Sequence, residues 1–465
     1  MDRRTRLLLE APIGPTLLRL GLPNVVVMVV QASIGLIETA FVARLGTDAL
    51  AGMSLVFPVL MQVQMMSAGA MGGGMLSAVS RTLGAGRREE ANGLVWHALA
   101  LAVGLGLLTT ALLLPFGRAL YTAMGGEGAA LAAALTYSHL IFAGAVLAWT
   151  FNALAAVIRG TGNMALPAAV TAVGAVVLIP LSPMLIFGWA GLPALGIAGG
   201  AWAVLLYYAA GSAVFAAYLW SGRGVLRPAA RPPRLRWAPM REILRVGAVA
   251  TLVTLTTNIT MMVATAQVAA HGPAAVAGYG TGARLEYLMV PLAFGLGAPI
   301  AAMVGTAVGA GRRQRALRAA WTGAAVVTVA TGAIGLAAAL WPQAWLGLFG
   351  DAPDMLAYGS RYLRLVGPFY GFFGLGMALY FASQGAGRLA WPLAGGLLRL
   401  LVAAGGGLLA MRLGFGIDGV FLALGLGLVA VGTVNAAAVA AGVWFRDRPA
   451  RMLAPAAMPA GRAAE

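Results

Sequence analysis

Long apolar stretches alternate with short polar or glycine-rich breaks along the whole chain. Each stretch reaches about 20 residues or more, which is enough for a helix to cross a lipid bilayer. We predict twelve membrane-spanning helices, at 16–45, 49–80, 91–115, 129–159, 164–188, 192–221, 241–270, 274–305, 317–341, 355–385, 389–412 and 417–445.

The composition agrees with this pattern. Of the 465 residues, 60% are hydrophobic and 10% are charged, and the mean hydropathy is +0.87. Soluble proteins carry about 25% charged residues. So few charges cannot cover a soluble surface, which excludes water-soluble enzymes and nucleic-acid-binding proteins. The chain has no cysteine, so disulfides, thiolate metal sites and thiol redox chemistry are also excluded.

The formal charge of +17 comes from arginines that flank the apolar stretches. With the N-terminus in the cytoplasm, 23 arginines fall in cytoplasmic segments and five fall in outer segments. Cytoplasmic loops of membrane proteins carry such an excess of basic residues. We therefore expect both termini in the cytoplasm of a bacterium, the chain in the inner (plasma) membrane, and no nucleic-acid partner.

One long polar segment, rich in Arg and Pro, divides the twelve spans into six and six. We predict an N-lobe at 1–221, a cytoplasmic linker at 222–240, a C-lobe at 241–446 and a cytoplasmic tail at 447–465. The linker connects the lobes and touches anionic lipid headgroups, or else it has a specific regulatory role.

The two lobes repeat each other in sequence. LGAGRREEA at 83–91 matches VGAGRRQRA at 308–316, and RGTGNMALP at 159–167 matches QGAGRLAWP at 384–392, both 225 residues later. A third match pairs 45–52 with 271–278. Because each lobe has an even number of spans, both lobes enter the membrane in the same sense. Such a parallel repeat, with a pseudo-two-fold axis along the membrane normal, is typical of secondary transporters.

The motifs resemble those of the multidrug and toxic compound extrusion (MATE) family of cation-coupled efflux transporters. The resemblance rests on GLIETAFVARLGTDALAG at the first span, the paired GAGR loops, RGTGN before span five and YFASQGAGR before span eleven. It implies an all-α exporter of twelve transmembrane helices in two pseudo-symmetric six-helix lobes, driven by proton or sodium entry.

Only two of the 14 acidic residues, Glu38 and Glu286, lie well inside predicted spans, and the other twelve fall at span ends or in loops. Ionisable groups within a bilayer are costly and indicate function. Asn24, Gln31 and Glu38 are spaced by seven, so they lie on one face of the first span. The resembled family carries an acid, usually Asp, at the position of Glu38 as a proton or cation site. The alternative is a glutamate that only makes hydrogen bonds between packed helices.

The sequence departs from the family in span five, where Ser182 replaces the usual second Asp. The acids that other members carry in spans seven and ten are also missing. A sodium site built from several oxygen ligands is therefore less favoured than one titrating glutamate. We expect the coupling ion to be H⁺, and we expect no metal and no other cofactor.

Glu286 has two basic neighbours in the predicted C-lobe. Arg284 is two residues away on the same helix and therefore on an opposed face. Arg399, in span eleven, is at a similar depth and can pair with Glu286 across the lobe. Either this pair fixes helix packing, or Glu286 is a second protonation site.

A substrate cavity is predicted between the lobes. Span seven carries a polar and methionine stripe, span two carries methionines beside glutamines, and two tyrosines precede or follow Glu286. Methionine suits surfaces that accept varied ligands, although it is equally a common apolar filler, and tyrosine can stack on cationic guests. The predicted cavity residues are Gln62, Met65, Thr254, Asn258, Met261, Tyr279 and Tyr287.

The sequence thus predicts a monomeric antiporter, coupled to protons, that exports amphipathic organic compounds, cations among them, by alternating access. No phosphate-binding loop, metal-ligand spacing or Ser/His/acid set is present, so we expect no enzymatic activity. One alternative is a flippase for lipid-linked or polysaccharide precursors with the same broad fold. Another is a membrane scaffold or receptor that transports nothing.

Overall fold

The computed structural model describes the backbone of residues 2–191 and 193–445, and the side chains of these residues except 29–38, 190, 287 and 288. The side chains of Gln31, Glu38 and Tyr287 and the predicted tail at 447–465 lie outside this part. The helices of the N-lobe are α1 (Arg3–Glu10), α2 (Ile13–Ala43), α3 (Thr47–Gln64), α4 (Gly72–Gly84), α5 (Arg88–Ala123), α6 (Gly128–Ala143), α7 (Ala145–Gly160), α8 (Ala165–Phe187) and α9 (Ile197–Trp220). Those of the C-lobe are α10 (Trp237–Ala269), α11 (Pro273–Gly309), α12 (Arg313–Leu340), α13 (Pro342–Leu346), α14 (Pro353–Val366), α15 (Tyr370–Ala386), α16 (Ala390–Arg412) and α17 (Gly416–Ala440).

These helices confirm the all-α, polytopic fold, and the described residues contain no strand. Within the described residues, ten helices are long and apolar enough to cross a membrane when α3 with α4 and α14 with α15 are each counted as one. The pair α6 and α7, bent by 50° at Gly144, makes an eleventh span. The remaining predicted span corresponds to α2, whose apolar stretch is described with side chains over Ile13–Met28.

Three predicted spans are interrupted where the sequence pattern predicts continuous helices. A π-helical turn, Met65–Met71, joins α3 to α4, and a 3₁₀ turn, Gly367–Phe369, joins α14 to α15. Pro368 lacks the amide hydrogen that a continuous α-helix would use. Turns of this kind re-aim the side chains beside them and occur often at functional sites. The π-helical turn and the 3₁₀ turn lie beside the cavities described below.

The repeat is visible in the backbone. Gly86 and Gly311, 225 residues apart, have φ angles of +75° and +71°. The amide of the residue after each glycine donates to the carbonyl five residues before that amide, at 3.1 Å in the first loop and 2.9 Å in the second. This is a common way for an α-helix to end, with a glycine in the left-handed backbone conformation just after the last turn. Gly162 and Gly387, also 225 residues apart, have φ angles of +82° and +72°. The two lobes therefore share their loop conformations as well as their motifs.

The lobes meet where α4 packs against α11. Gly84 lies on the carbonyl of Thr306, and Gly309 lies on the carbonyl of Arg81, so closely that a Cβ on either glycine would overlap the facing backbone. Because both pairs are related by the same 225-residue offset, each lobe presents the same surface to the other. This reciprocity is the mark of a two-fold axis between them.

We call the end of the molecule that holds the loops 85–87 and 310–312 the GAGR end. Two polar contacts between the lobes lie toward this end: Ser77 Oγ donates to the carbonyl of Gly385 at 2.9 Å, and Arg81 forms an ion pair with Glu242 at 3.1 Å. The lobes are therefore closed against each other at the GAGR end.

Two peripheral segments also connect the two lobes at the GAGR end. The Arg4 guanidinium donates to the hydroxyl of Tyr218 in the N-lobe at 3.0 Å, while Arg315 of the C-lobe donates to the carbonyl of Leu8 at 3.0 Å, so α1 bridges both lobes. The segment between α9 and α10 lies along α5, where His97 Nε2 accepts from the amide of Arg236 at 3.0 Å. Both contacts restrain the lobes relative to each other.

Candidate functional site

The structure contains a cavity of about 220 Å³ between the two lobes, which we call the Arg159 cavity. The π-helical turn, α2, α7, α8 and α9 enclose it from the N-lobe, and α11 and α15 enclose it from the C-lobe. Its polar lining consists of Asn24, Gln64, Asn152, Arg159, Thr171, Tyr207, Tyr208 and Gln384.

Hydrogen bonds fix one wall of the Arg159 cavity. Asn152 Nδ2 donates to Ser67 Oγ at 2.8 Å and to Gln64 Oε1 at 3.2 Å, and the hydroxyl of Tyr208 donates to the same Gln64 oxygen at 3.3 Å. Ser67 belongs to the π-helical turn, so the interruption of α3 and α4 places these groups together. Because their partners are fixed, the amides present a defined polar surface to the cavity.

Glu286 lies on α11 and is only 7% exposed. The hydroxyl of Tyr362, at the end of α14, donates to its Oε1 at 2.9 Å, and the hydroxyl of Tyr370 lies 3.2 Å from that of Tyr362. The 3₁₀ turn between α14 and α15 brings these two tyrosines to the same side. The carboxyl group is therefore buried, with a phenol hydroxyl as its hydrogen-bond donor.

Two cavities of about 140 Å³ each meet at Glu286. The first, the Tyr279 cavity, lies within the C-lobe and includes Tyr279 and Tyr362. The second, the Asn258 cavity, reaches the N-lobe at Met65. Glu286 thus connects the interior of the C-lobe with the interface between the lobes.

Arg399 on α16 lines both of these cavities with Glu286, as the sequence predicts for residues at similar depth. Among the described residues, Arg399 and Glu286 do not form an ion pair, and Arg399 Nε has no hydrogen-bond partner. Their pairing stays a prediction. Arg284 is exposed, with its guanidinium 5.4 Å from the ring centre of Phe349, away from the buried Glu286.

Four of the predicted cavity residues, Met65, Thr254, Asn258 and Met261, line the Asn258 cavity together. Gln62 accepts a hydrogen bond at 2.8 Å from Asn258 Nδ2, which joins α3 to α10 across the lobes. Tyr279 lines the Tyr279 cavity and packs on Tyr362 with ring centres 5.2 Å apart.

The remaining predicted residues are dispersed. Asn24 lines the Arg159 cavity and is 8% exposed. Ser182 is buried in α8 but lines none of the three cavities, and its hydroxyl has no hydrogen-bond partner among the described residues. The roles predicted for Gln31, Glu38 and Tyr287 concern side chains outside the described part and stay predictions.

The sequence pattern identifies Arg159 only as a basic residue at a helix end and not as a residue of the candidate site. Asn152 and Arg159 are spaced by seven, the same spacing that singles out Asn24, Gln31 and Glu38 on the first span. That spacing signals a common helix face and is sufficient to find the pair. Tyr362 has no comparable signal, because its proximity to Glu286 depends on the packing of α14 against α11.

The Tyr362 hydroxyl provides a test of the Glu286 environment. We expect Tyr362→Phe to lower the free energy of unfolding by about 1–3 kcal/mol, because a buried carboxyl group loses its donor. Tyr358→Phe, one helical turn earlier on α14, removes a hydroxyl with no hydrogen bond among the described residues and should change stability little. Thermal unfolding of the purified proteins measures both. Equal effects of the two substitutions would contradict the role given to Tyr362.

The model of the MatE family matches residues 23–184 and 249–409, one segment in each lobe. Among the similar proteins, the FAD transporter of Shewanella oneidensis is 28% identical, over 81% of this chain and 82% of that protein. A probable multidrug resistance protein NorM of Deinococcus radiodurans is 32% identical, over 66% and 67% of the two chains. A solved structure of a MATE transporter in the bent conformation superposes with a TM-score of 0.86 at 24% identity, covering 95% of this chain and 98% of that one.

Proposed function

The chain belongs to the MatE family, and we propose that it works as an antiporter that couples proton entry to the export of amphipathic organic compounds. As a MATE efflux transporter it is a multi-pass membrane protein and not an enzyme.

The observation that carries the proposal is the position of Glu286. A proton-coupled carrier needs a group that is charged in one conformation and neutral in another. Glu286 is buried, receives a phenol hydrogen bond and faces a cavity formed by both lobes. A movement of the lobes that changes the access of water to this cavity changes how readily the carboxyl group holds its proton. This links protonation to conformation.

Glu38 is the second proposed coupling residue. Its support is the sequence: it is the other acid within a span, and it occupies the position of the resembled family's acid in GLIETAFVARLG. The serine at 182 favours protons over sodium, since one carboxylate provides too few oxygens for a sodium site.

The excess of arginine in the segments 81–88, 223–245 and 312–318 favours a cytoplasmic GAGR end. With this orientation, in a bacterial inner membrane and with both termini inside, the closed GAGR end separates the cavities from the cytoplasm. We propose that the protein works as a monomer and that this conformation is outward-directed, so that alternating access requires the lobes to part at the GAGR end.

Gradient-driven transport in proteoliposomes tests this proposal. The protein is reconstituted alone, and proton and sodium gradients are imposed separately while the efflux of an aromatic dye is measured. We expect transport with the proton gradient and none with the sodium gradient. Transport with sodium alone would overturn the assignment of the coupling ion, and transport that ignores both gradients would overturn antiport.

A further inference from the structure

Arg159 is the one formally charged side chain among the described residues that line the Arg159 cavity. It lies in the last turn of α7 and is partly buried, and the ion pairs of the described residues do not include it. The other polar lining groups are amides and hydroxyls, which carry no formal charge.

Glu286 and the backbone of Glu38 both lie away from this charge. Glu286 lines the other two cavities and not this one. Glu38 is 14 residues beyond Asn24 on α2, which at about 1.5 Å per residue places its backbone roughly 21 Å further along the helix. The residues of α2 between Met28 and Glu38 carry no charge. The cavity is therefore electropositive.

A cation in a medium of low dielectric attracts an anion far more strongly than it does in water. A buried charge without a partner is also unfavourable by itself. Arg159 combines both conditions at a position where a ligand has room to bind. Its planar guanidinium matches a carboxylate or phosphate, to which it can donate two parallel hydrogen bonds.

Aromatic rings form two walls of the same cavity. In the N-lobe, Phe151 packs with Tyr207 and Tyr208 at ring-centre distances of 5.2 and 5.4 Å, and in the C-lobe Phe294 packs with Phe381 at 5.0 Å. All five side chains line the cavity. A flat aromatic ring between these walls would contact both lobes, so the site is complete only while the lobes are closed at the GAGR end.

We propose that the Arg159 cavity binds aromatic organic anions, with the anionic group on Arg159 and the ring between the two aromatic walls. This inference rests on the proposed transport function and names its substrate class, which is opposite in charge to the cations that the sequence suggests. A cation would approach the guanidinium without any described carboxylate in the cavity to offset the repulsion.

The test compares two ligands of the same shape and opposite charge, 2-naphthoate and 2-naphthylmethylammonium. Their binding to the purified full chain in lipid nanodiscs is measured by calorimetry, without any gradient. We expect the native protein to bind naphthoate more tightly than the ammonium. Arg159→Met should weaken naphthoate binding by about tenfold or more, as the loss of a charge-assisted hydrogen bond implies. Arg159→Lys, which keeps the charge, should retain most of the affinity.

Matched variants exclude a general loss of structure. Asn24→Asp adds a carboxylate to the Arg159 cavity with almost no change in the shape of the side chain. We expect this variant to bind naphthoate more weakly and the ammonium more tightly than the native protein does. Gln343→Glu adds a carboxylate at an exposed position of α13, outside the three cavities, and should leave the preference for naphthoate in place. Arg284→Met, which removes an exposed arginine, should leave both affinities unchanged. If Arg159→Met does not fold, Asn24→Asp decides the question.

Tighter binding of the ammonium by the native protein would overturn the inference, and so would unchanged naphthoate binding in Asn24→Asp. The result is independent of the coupling experiment. Naphthoate binding without gradient-driven transport would leave the anion site intact and overturn antiport. Gradient-driven export restricted to cations would leave antiport intact and overturn the anion site.

Discussion

Proton-driven export is expected to fall to the leak rate of protein-free vesicles when Glu286 is replaced by Gln. Glutamine retains the size of the side chain and an oxygen that accepts from the Tyr362 hydroxyl, which lies 2.9 Å from the native carboxylate. It cannot titrate, so the link between protonation and conformation is lost. Dye efflux from proteoliposomes under an imposed proton gradient measures the effect.

Substrate binding separates a loss of coupling from a loss of structure. Glu286→Gln should still bind substrate, but its affinity should no longer depend on pH, because binding and protonation are linked through one equilibrium. The control is Glu127→Gln, which neutralises an exposed glutamate in the loop before α6 and should transport at the native rate. Native transport by Glu286→Gln would remove Glu286 from the coupling mechanism.

Glu38→Gln is the companion variant in the N-lobe, and the sequence predicts that it also abolishes proton-driven export while the protein stays folded. Glu38→Asp should keep partial activity, because it restores the acid that the resembled family usually has there. If one variant is inactive and the other is native-like, the inactive variant identifies the coupling residue. If both are inactive, both lobes titrate.

The helices were predictable because each spans a bilayer, and a bilayer requires about 20 consecutive apolar residues whatever their order. The repeat was predictable because glycines with positive φ must recur at equivalent loops, as Gly86 and Gly311 do. The π-helical turn at Met65–Met71 was not predictable, since its residues are as apolar as those of the α-helices beside it. Its position depends on how Ser67 bonds to Asn152 in a different helix.

A residue of the candidate site could be predicted from the sequence where its charged side chain lies inside an apolar span and is therefore energetically costly in lipid. Glu286 could be found because a carboxylate inside an apolar span is costly and rare. Arg159 was missed because arginines at helix ends usually indicate membrane orientation, and only the packed helices show that this one faces a cavity. Likewise, the hydrogen bond between Asn258 and Gln62 joins residues 196 positions apart, which no local pattern reveals.

Linking the two lobes at the GAGR end is expected to stop transport completely. Arg81 and Glu242 form an ion pair at 3.1 Å between α4 of the N-lobe and α10 of the C-lobe. In the double variant Arg81→Cys and Glu242→Cys, a short reducible thiol cross-linker should join the lobes. Alternating access requires this end to open once in each cycle, and a covalent link prevents that opening. The native chain has no cysteine, so the cross-linker has no other target.

Transport is measured in the same vesicles before cross-linking, after it and after reduction, so any effect of losing the ion pair itself is present throughout. The control is Arg87→Cys with Glu90→Cys, which replaces an ion pair of 2.8 Å within the N-lobe and near the same end. Its cross-link spans no moving boundary and should leave the rate unchanged. We expect a complete and reversible block in the first variant alone. Continued transport by a fully cross-linked Arg81→Cys/Glu242→Cys protein would mean that α4 and α10 stay together throughout the cycle, and the opening would then have to occur within a lobe.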